Sequence, residues 1–326
     1  MTASITTGLR EALRHAKLVW LLYAWYGLLA LVPALPAWTW WSGALSVSPE
    51  AASLLERFDL GVFLDVTAGK GISGLGLLAG AAVAVGLIAF VSGAFAFGGI
   101  LEVLAARDDR RPFMHRFFRG GGRFFWRFLR LAVVAGVCLV LATGVVSGLQ
   151  TAAVSAASES EWEPAGYVAS AAGVAVLLAV AAFFLLALDY ARIRVSRDDS
   201  RGMLRAYLSA LAFVARRLSA VYGIAITILL FEVALVLGYV AYETHAPAAG
   251  TWAAIAALAV VQQVVVFGRV FFRVALVGAE RHFHVTTMPQ PSPAPVSLAE
   301  VPAAPEADGP LVPTAPSAVE GSQTPT

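Results

Sequence analysis

Apolar residues in this chain run in long uncharged blocks rather than in stripes. Leu18 to Trp41, Ile72 to Leu101, Leu131 to Gln150, Tyr167 to Leu188 and Thr251 to Gly268 contain no Asp, Glu, Lys or Arg, and Ser219 to Tyr242 contains only Glu232. A hydrocarbon core about 30 Å thick needs about 20 apolar residues at about 1.5 Å rise each. The blocks therefore predict an all-α, polytopic transmembrane helix bundle of about six spans, over residues 18–41, 72–101, 131–150, 167–188, 219–242 and 251–268, the last with a helical continuation.

The interruptions predict the remaining elements. Residues 1–17 place Leu9, Leu13 and Ala16 at helical spacing among Arg10, Arg14 and Lys17, which predicts an interfacial helix leading into the bilayer. Pro33 and Pro36 are expected to end or kink the first span near the far face, where Trp38, Trp40 and Trp41 form an aromatic belt. A cleaved signal peptide is the competing reading, but the block is long and no clean A-x-A site follows it. Ser48, Pro49 and Glu50 make an N-cap, N1 and acidic first turn, predicting a short helix to about Phe58. The second span holds Gly76 and Gly80 in G-x-x-x-G, then Gly86, Gly93, Gly98 and Gly99; small residues let helices approach, placing it at the bundle centre. The six-span domain is read as 18–284. Residues 285–326 hold ten prolines and no Lys or Arg, the composition of a disordered tail.

Two polar connections repeat each other at an offset of 90 residues. Arg107, Asp108, Asp109 and Arg111 match Arg197, Asp198, Asp199 and Arg201; Phe113, Met114, Phe117 and Phe118 match Met203, Leu204, Tyr207 and Leu208; Arg127 and Phe128 match Arg217 and Leu218. Each copy reads as an acidic cap, an amphipathic elbow helix and an Arg-terminated approach to the next span. Arg14, Lys17 and Leu18 suggest a third, weaker copy, hence three units of one elbow helix and one hairpin. Such repeats occur in transporters and also arise by duplication of a membrane scaffold.

Composition agrees with the blocks. Hydrophobic residues are 59% and charged residues 13% of the chain, against about 45–50% and about 25% for ordinary soluble domains. The net charge of +2 hides a segregation. Every Lys and Arg except Arg57 and Lys70 lies before the first span, between the second and third, between the fourth and fifth, or after the sixth, while Glu159, Glu161 and Glu163 lie on an opposite connection. The positive-inside rule then places the elbows and both termini in the cytoplasm. The preference for Arg and Ala over Lys points to a GC-rich bacterial genome and so to a bacterial cytoplasmic (inner) membrane. The single cysteine, Cys138, excludes an intramolecular disulfide.

Candidate chemistry is sparse. Glu232 is the one acid well inside an apolar block, where a charge costs roughly 2.5–3.5 kcal/mol on insertion scales, so it needs a bundle-facing position or a partner. Arg269 and Arg273 are the available cations, and Gln262 and Gln263 the deeper hydrogen-bonding groups. A proton or substrate relay and a structural interhelical contact are both open. Arg116, Arg119, Arg123, Arg127 and Arg130 alternate with aromatics including Trp126, which suits anionic lipid headgroups better than nucleic acid beside two spans. Gly120, Gly121 and Gly122 lack the G-K-[ST] ending of a phosphate loop. His282 and His284 form the one close histidine pair, at the margin of the tail and without further ligands, and neither G-x-S-x-G nor H-E-x-x-H occurs. No catalytic residue, metal, cofactor or nucleic acid is expected.

The alternation of elbows and span pairs, carried by Arg107 to Leu131 and Arg197 to Ser219, resembles six-helix polytopic membrane proteins of bacteria. It is also similar to the membrane domain attached to some glycerophosphodiester phosphodiesterases, over Met1 to about His284 in architecture. That resemblance implies the helical membrane fold only: no soluble phosphodiesterase domain is expected in this chain, so the activity does not carry over. The expectation is a non-enzymatic membrane scaffold or accessory protein contacting anionic lipid, with a second copy or another membrane protein as partner. The alternative is a small-solute or lipid transporter using the Gly-rich second span and Glu232.

Overall fold

A computed structural model describes residues 1–45, 72–105, 112–159, 162, 164–198, 202–245 and 252–288. The helix read from Ser48, the caps at Asp108, Asp109 and Asp199, the acids Glu161 and Glu163, and the Pro-rich tail from Pro289 lie outside the described residues.

Among the described residues every regular element is helical. In chain order they are α1 (Thr2–Arg14), α2 (Ala16–Leu45), α3 (Ile72–Ala105), α4 (Phe113–Ser158), α5 (Ala165–Asp198), α6 (Met203–Arg216), α7 (Leu218–His245) and α8 (Trp252–Thr287). Six of them, all but α1 and α6, are long and apolar enough to cross a membrane. Away from one end they expose Leu28, Leu35, Val83, Leu87, Leu141, Val145, Leu178, Leu229, Leu237, Val260 and Val264. Only a hydrocarbon solvent tolerates that much apolar surface on every side. The protein is a multi-pass integral membrane protein.

Burial is concentrated where α1 and α6 lie, here called the proximal end. It takes in Leu18 to Leu22 of α2, Ala94 to Leu104 of α3, Phe117 to Ala135 of α4, Leu186 to Val195 of α5, Val221 to Ile228 of α7 and Val270 to His284 of α8. Each elbow packs on an outgoing helix: the start of α4 on the end of α3, α6 on α5, and α1 on α8. The three elbow contacts thus close in a cycle. The 90-residue offset survives in three dimensions, since α4 and α6 begin at Phe113 and Met203 and bury Phe117 with Tyr207 and Phe124 with Val214.

Lipid tails are as apolar as leucine, so these contacts depend on close fit. A Cβ on Gly120 would lie 2.7 Å from the Gly98 carbonyl oxygen and 2.3 Å from Glu102 Cβ. One on Gly8 would lie 2.3 Å from the Ala275 carbonyl oxygen. Gly120 and Gly121 are therefore a helix contact, and the helix runs unbroken through the triplet. Gly80, Gly86 and Gly93 have nothing within 4 Å of a Cβ, so the glycines that bring α3 close to a neighbour are Gly98 and Gly99.

Three expectations are refined and one needs correction. α1 is docked on one face, with Ser4, Ile5, Gly8 and Ala12 buried against α8 and its neighbours while Arg10, Leu13 and Arg14 face out. Pro33 and Pro36 do not end α2, which continues to Leu45. His282 and His284 lie in the last turns of α8, next to the tail margin, and His284 is buried. The elbow before the third span is not a separate helix: α4 runs unbroken for 46 residues, whereas α6 stops at Arg217 (φ −133°, ψ 32°) and α1 stops at His15 (φ −103°, ψ 40°). The difference follows from neighbours, since α4 stays between α3 and α5, while α7 must turn from α6 to reach α8.

Candidate functional site

The proximal core holds a polar cluster that no uncharged block announces. Asp189 sits near the end of α5, at the point where the block ends and the helix continues. Its carboxylate accepts from Arg273 Nη2 of α8 at 2.9 Å and from Arg192 Nη1, one turn along its own helix, at 3.2 Å. The Asp189 and Arg192 side chains are 8% and 11% exposed, and that of Arg273 is 41% exposed. Both guanidiniums approach the ring of Phe97 from α3, at 4.8 Å for Arg192 and 5.9 Å for Arg273. Phe97 is buried, so this aromatic contact is made away from water, where it is worth most.

Two turns beyond Arg273, Glu280 is 1% exposed, and among the described residues neither of its carboxyl oxygens has a hydrogen-bond partner. Tyr190 Oη and His284 Nδ1 are likewise buried and unpartnered. The Tyr190 and His284 rings both pack tilted against Phe213 of α6, at 5.2 and 5.4 Å between centroids. His282 Nδ1 lies 3.2 Å from the Ser4 hydroxyl, tying α8 to α1. Outside the spans, burial raises the Tyr207 hydroxyl above its ordinary range while it donates to the Phe184 carbonyl at 3.3 Å. Burial also lowers the His15 imidazole, against the opposing pull of Glu11.

Of the intramembrane candidates, Glu232 and Arg269 meet Arg273 across a cavity of about 440 Å³ between α2, α7 and α8, lined also by Tyr26, Val266 and Val270. Glu232 lies about 20 Å from either end of α7, so it is at mid-span, and among the described residues it forms no ion pair. Gln263 accepts a 2.7 Å hydrogen bond from the Tyr23 hydroxyl, and Gln262 is exposed apart from this group. Arg273 therefore pairs with Asp189 rather than with Glu232.

A second cavity, of about 420 Å³, lies on the other side of Arg273 between α3, α4, α5 and α8. Its floor is Asp189, Arg192 and Arg273, and its wall is apolar. Asp189 escaped notice because it reads as the first residue of a polar connection. The available signal was the i,i+3 pair with Arg192 immediately after an uncharged block. Glu280 could have been found from Arg273, Val277 and His284, which share its spacing on one helix face.

On α4, Arg119, Arg123, Trp126 and Arg130 are exposed at positions i, i+4, i+7 and i+11, a single stripe, with Trp126 66% exposed. Arg116 and Arg127 are half-buried and lie off that stripe. Among the described residues, no group of three or more His, Cys, Asp or Glu is placed to hold a metal ion. Comparison with family models, curated proteins and solved structures finds no match for the chain.

Proposed function

We propose that this protein is a non-enzymatic scaffold or accessory protein of the bacterial cytoplasmic membrane, with its basic proximal end and both termini in the cytoplasm and its elbows resting on anionic headgroups. The observation that carries this reading is the α4 stripe of Arg119, Arg123, Trp126 and Arg130, exposed just before the uncharged run that begins at Leu131. Each basic group at an anionic surface contributes about 1 kcal/mol, and an amphipathic Trp ring suits the headgroup level. At about 69 Å, α4 is more than twice the hydrocarbon thickness, so its charged first third has to lie outside the core.

In proteoliposomes, the fluorescence difference between the parent and Trp126→Phe isolates this one ring. Brominated phosphatidylglycerol is expected to quench it more than brominated phosphatidylcholine, and joint replacement of Arg119, Arg123 and Arg130 by Gln should remove the preference. Equal quenching by the two lipids in the parent would overturn the headgroup assignment.

A transporter is the second reading, favoured by the cavity that Glu232 shares with Arg269 and Arg273. Under the scaffold reading Glu232→Gln is expected to change stability by less than about 0.5 kcal/mol, because the side chain opens on the cavity and, among the described residues, forms no ion pair. Solute counterflow and lipid scrambling in proteoliposomes should be absent for both proteins. Transport by the parent that Glu232→Gln abolishes, with normal accumulation of the variant, would replace the scaffold by the transporter.

A further inference from the structure

We infer that the cavity between α3, α4, α5 and α8 is a binding site for an anionic amphiphile, with its oxyanion on Arg192 and Arg273 and its hydrocarbon along α4. The chemical class is a phosphate or carboxylate joined to an acyl chain. The space, about 420 Å³, falls within the usual range for small-ligand sites.

The charge balance of the floor selects an anion. Two guanidiniums and one carboxylate line it, and Glu280, buried further along α8, does not. Asp189 takes one hydrogen bond from each arginine, while a guanidinium carries five N–H donors and no acceptor. A surplus positive charge with unused forked donors is the arrangement that carboxylate and phosphate oxygens satisfy in pairs.

The wall selects a hydrocarbon rather than a free ion. Ala132, Ala135, Gly136 and Leu139 of α4 and Leu185 and Leu188 of α5 line the cavity and offer it no charged or hydroxyl group. Depth agrees with both halves of the ligand. Trp252, 87% exposed, marks one interface, and Arg273 lies 21 residues or about 32 Å along α8, one hydrocarbon thickness away. The guanidiniums therefore sit where headgroups sit, and the wall extends from there toward the bilayer interior. Basic pockets between membrane helices are known anionic headgroup sites. This one faces into the bundle from α5 and α8, whereas the α4 stripe faces outward, so the two stand or fall separately.

The test uses the purified full chain in a neutral detergent, with binding read by native mass spectrometry and by thermal melting. Dioleoyl phosphatidylglycerol is expected to bind about tenfold tighter than dioleoyl phosphatidylcholine and to raise Tm. Millimolar inorganic phosphate should do neither. Gly136→Leu places its new side chain in the cavity, and because a Cβ there meets nothing within 4 Å it should melt like the parent without lipid and bind phosphatidylglycerol at least about tenfold more weakly. Arg273→Gln should make the two lipids bind alike. Joint replacement of Arg119, Arg123 and Arg130 by Gln should leave the tight binding intact. Equal affinity of the parent for both lipids, parental affinity in Gly136→Leu, or a Tm rise with inorganic phosphate matching that with phosphatidylglycerol would each overturn the assignment.

Discussion

Asp189→Ala is expected to lower the stability of the bundle by about 3–5 kcal/mol, the cost of removing one partner from a buried ion pair. Asp189 is the acceptor that neutralises Arg192 and Arg273, and Arg192 has little access to solvent with which to replace it. Equilibrium unfolding in mixed micelles of neutral detergent and dodecyl sulfate, followed by circular dichroism, measures the loss. The loss comes from the orphaned cations rather than from the missing attraction, so Asp189→Leu combined with Arg192→Leu should recover at least half of it. Arg273, whose side chain is 41% exposed, can extend its charged tip to the boundary while its stem stays packed. A double variant as unstable as Asp189→Ala alone would show that the carboxylate holds the helices together directly.

What could be read in advance divides along this same cluster. The six spans were legible because lipid demands an apolar surface all round, which leaves long uncharged blocks such as Tyr167 to Leu188. That same uniformity hides which face is buried. Nothing in the apolar run of α5 tells Ala187, fully buried, from Leu185, half exposed, or marks Asp189 as the centre of a packed core. The amphipathic elbows were legible as helices, but an apolar stripe on α1 reads the same whether it lies on lipid or on α8. Glu232 stood out because it interrupts a block, and it does reach a cavity with Arg269 and Arg273. Its expected role as the partner of Arg273 went to Asp189, since choosing between two acids on different helices requires knowing which helices touch. The glycines of α3 carried the opposite lesson: number along the helix says little, and only Gly98 and Gly99, facing α4, meet a backbone.

Gly8→Leu is expected to detach α1 from α8 and to lower stability by about 3 kcal/mol, the upper end of what overpacking costs. The atoms a Cβ would meet are the Ala275 carbonyl oxygen at 2.3 Å, the Ala279 amide nitrogen at 2.7 Å and the Ala279 Cβ at 2.9 Å, and no rotamer change moves backbone away. The contact is two-sided, since Gly278 of α8 lies against Gly8 with its Cβ position 3.2 Å from the Gly8 Cα. Neither helix can therefore yield without sliding along the other, which would also break the Ser4 and His282 contact and expose Ile5. Gly86→Leu, on a stretch of α3 with nothing within 4 Å, is the matched control and should unfold within about 0.5 kcal/mol of the parent. A cysteine placed at Ser4, buried in the parent, reports the docking itself: it should react slowly with a water-soluble maleimide in the parent and quickly once Leu replaces Gly8. If both glycine variants unfold alike and Ser4→Cys stays protected in each, α1 remains docked with the larger side chain in place, and the close fit at Gly8 does not contribute to stability.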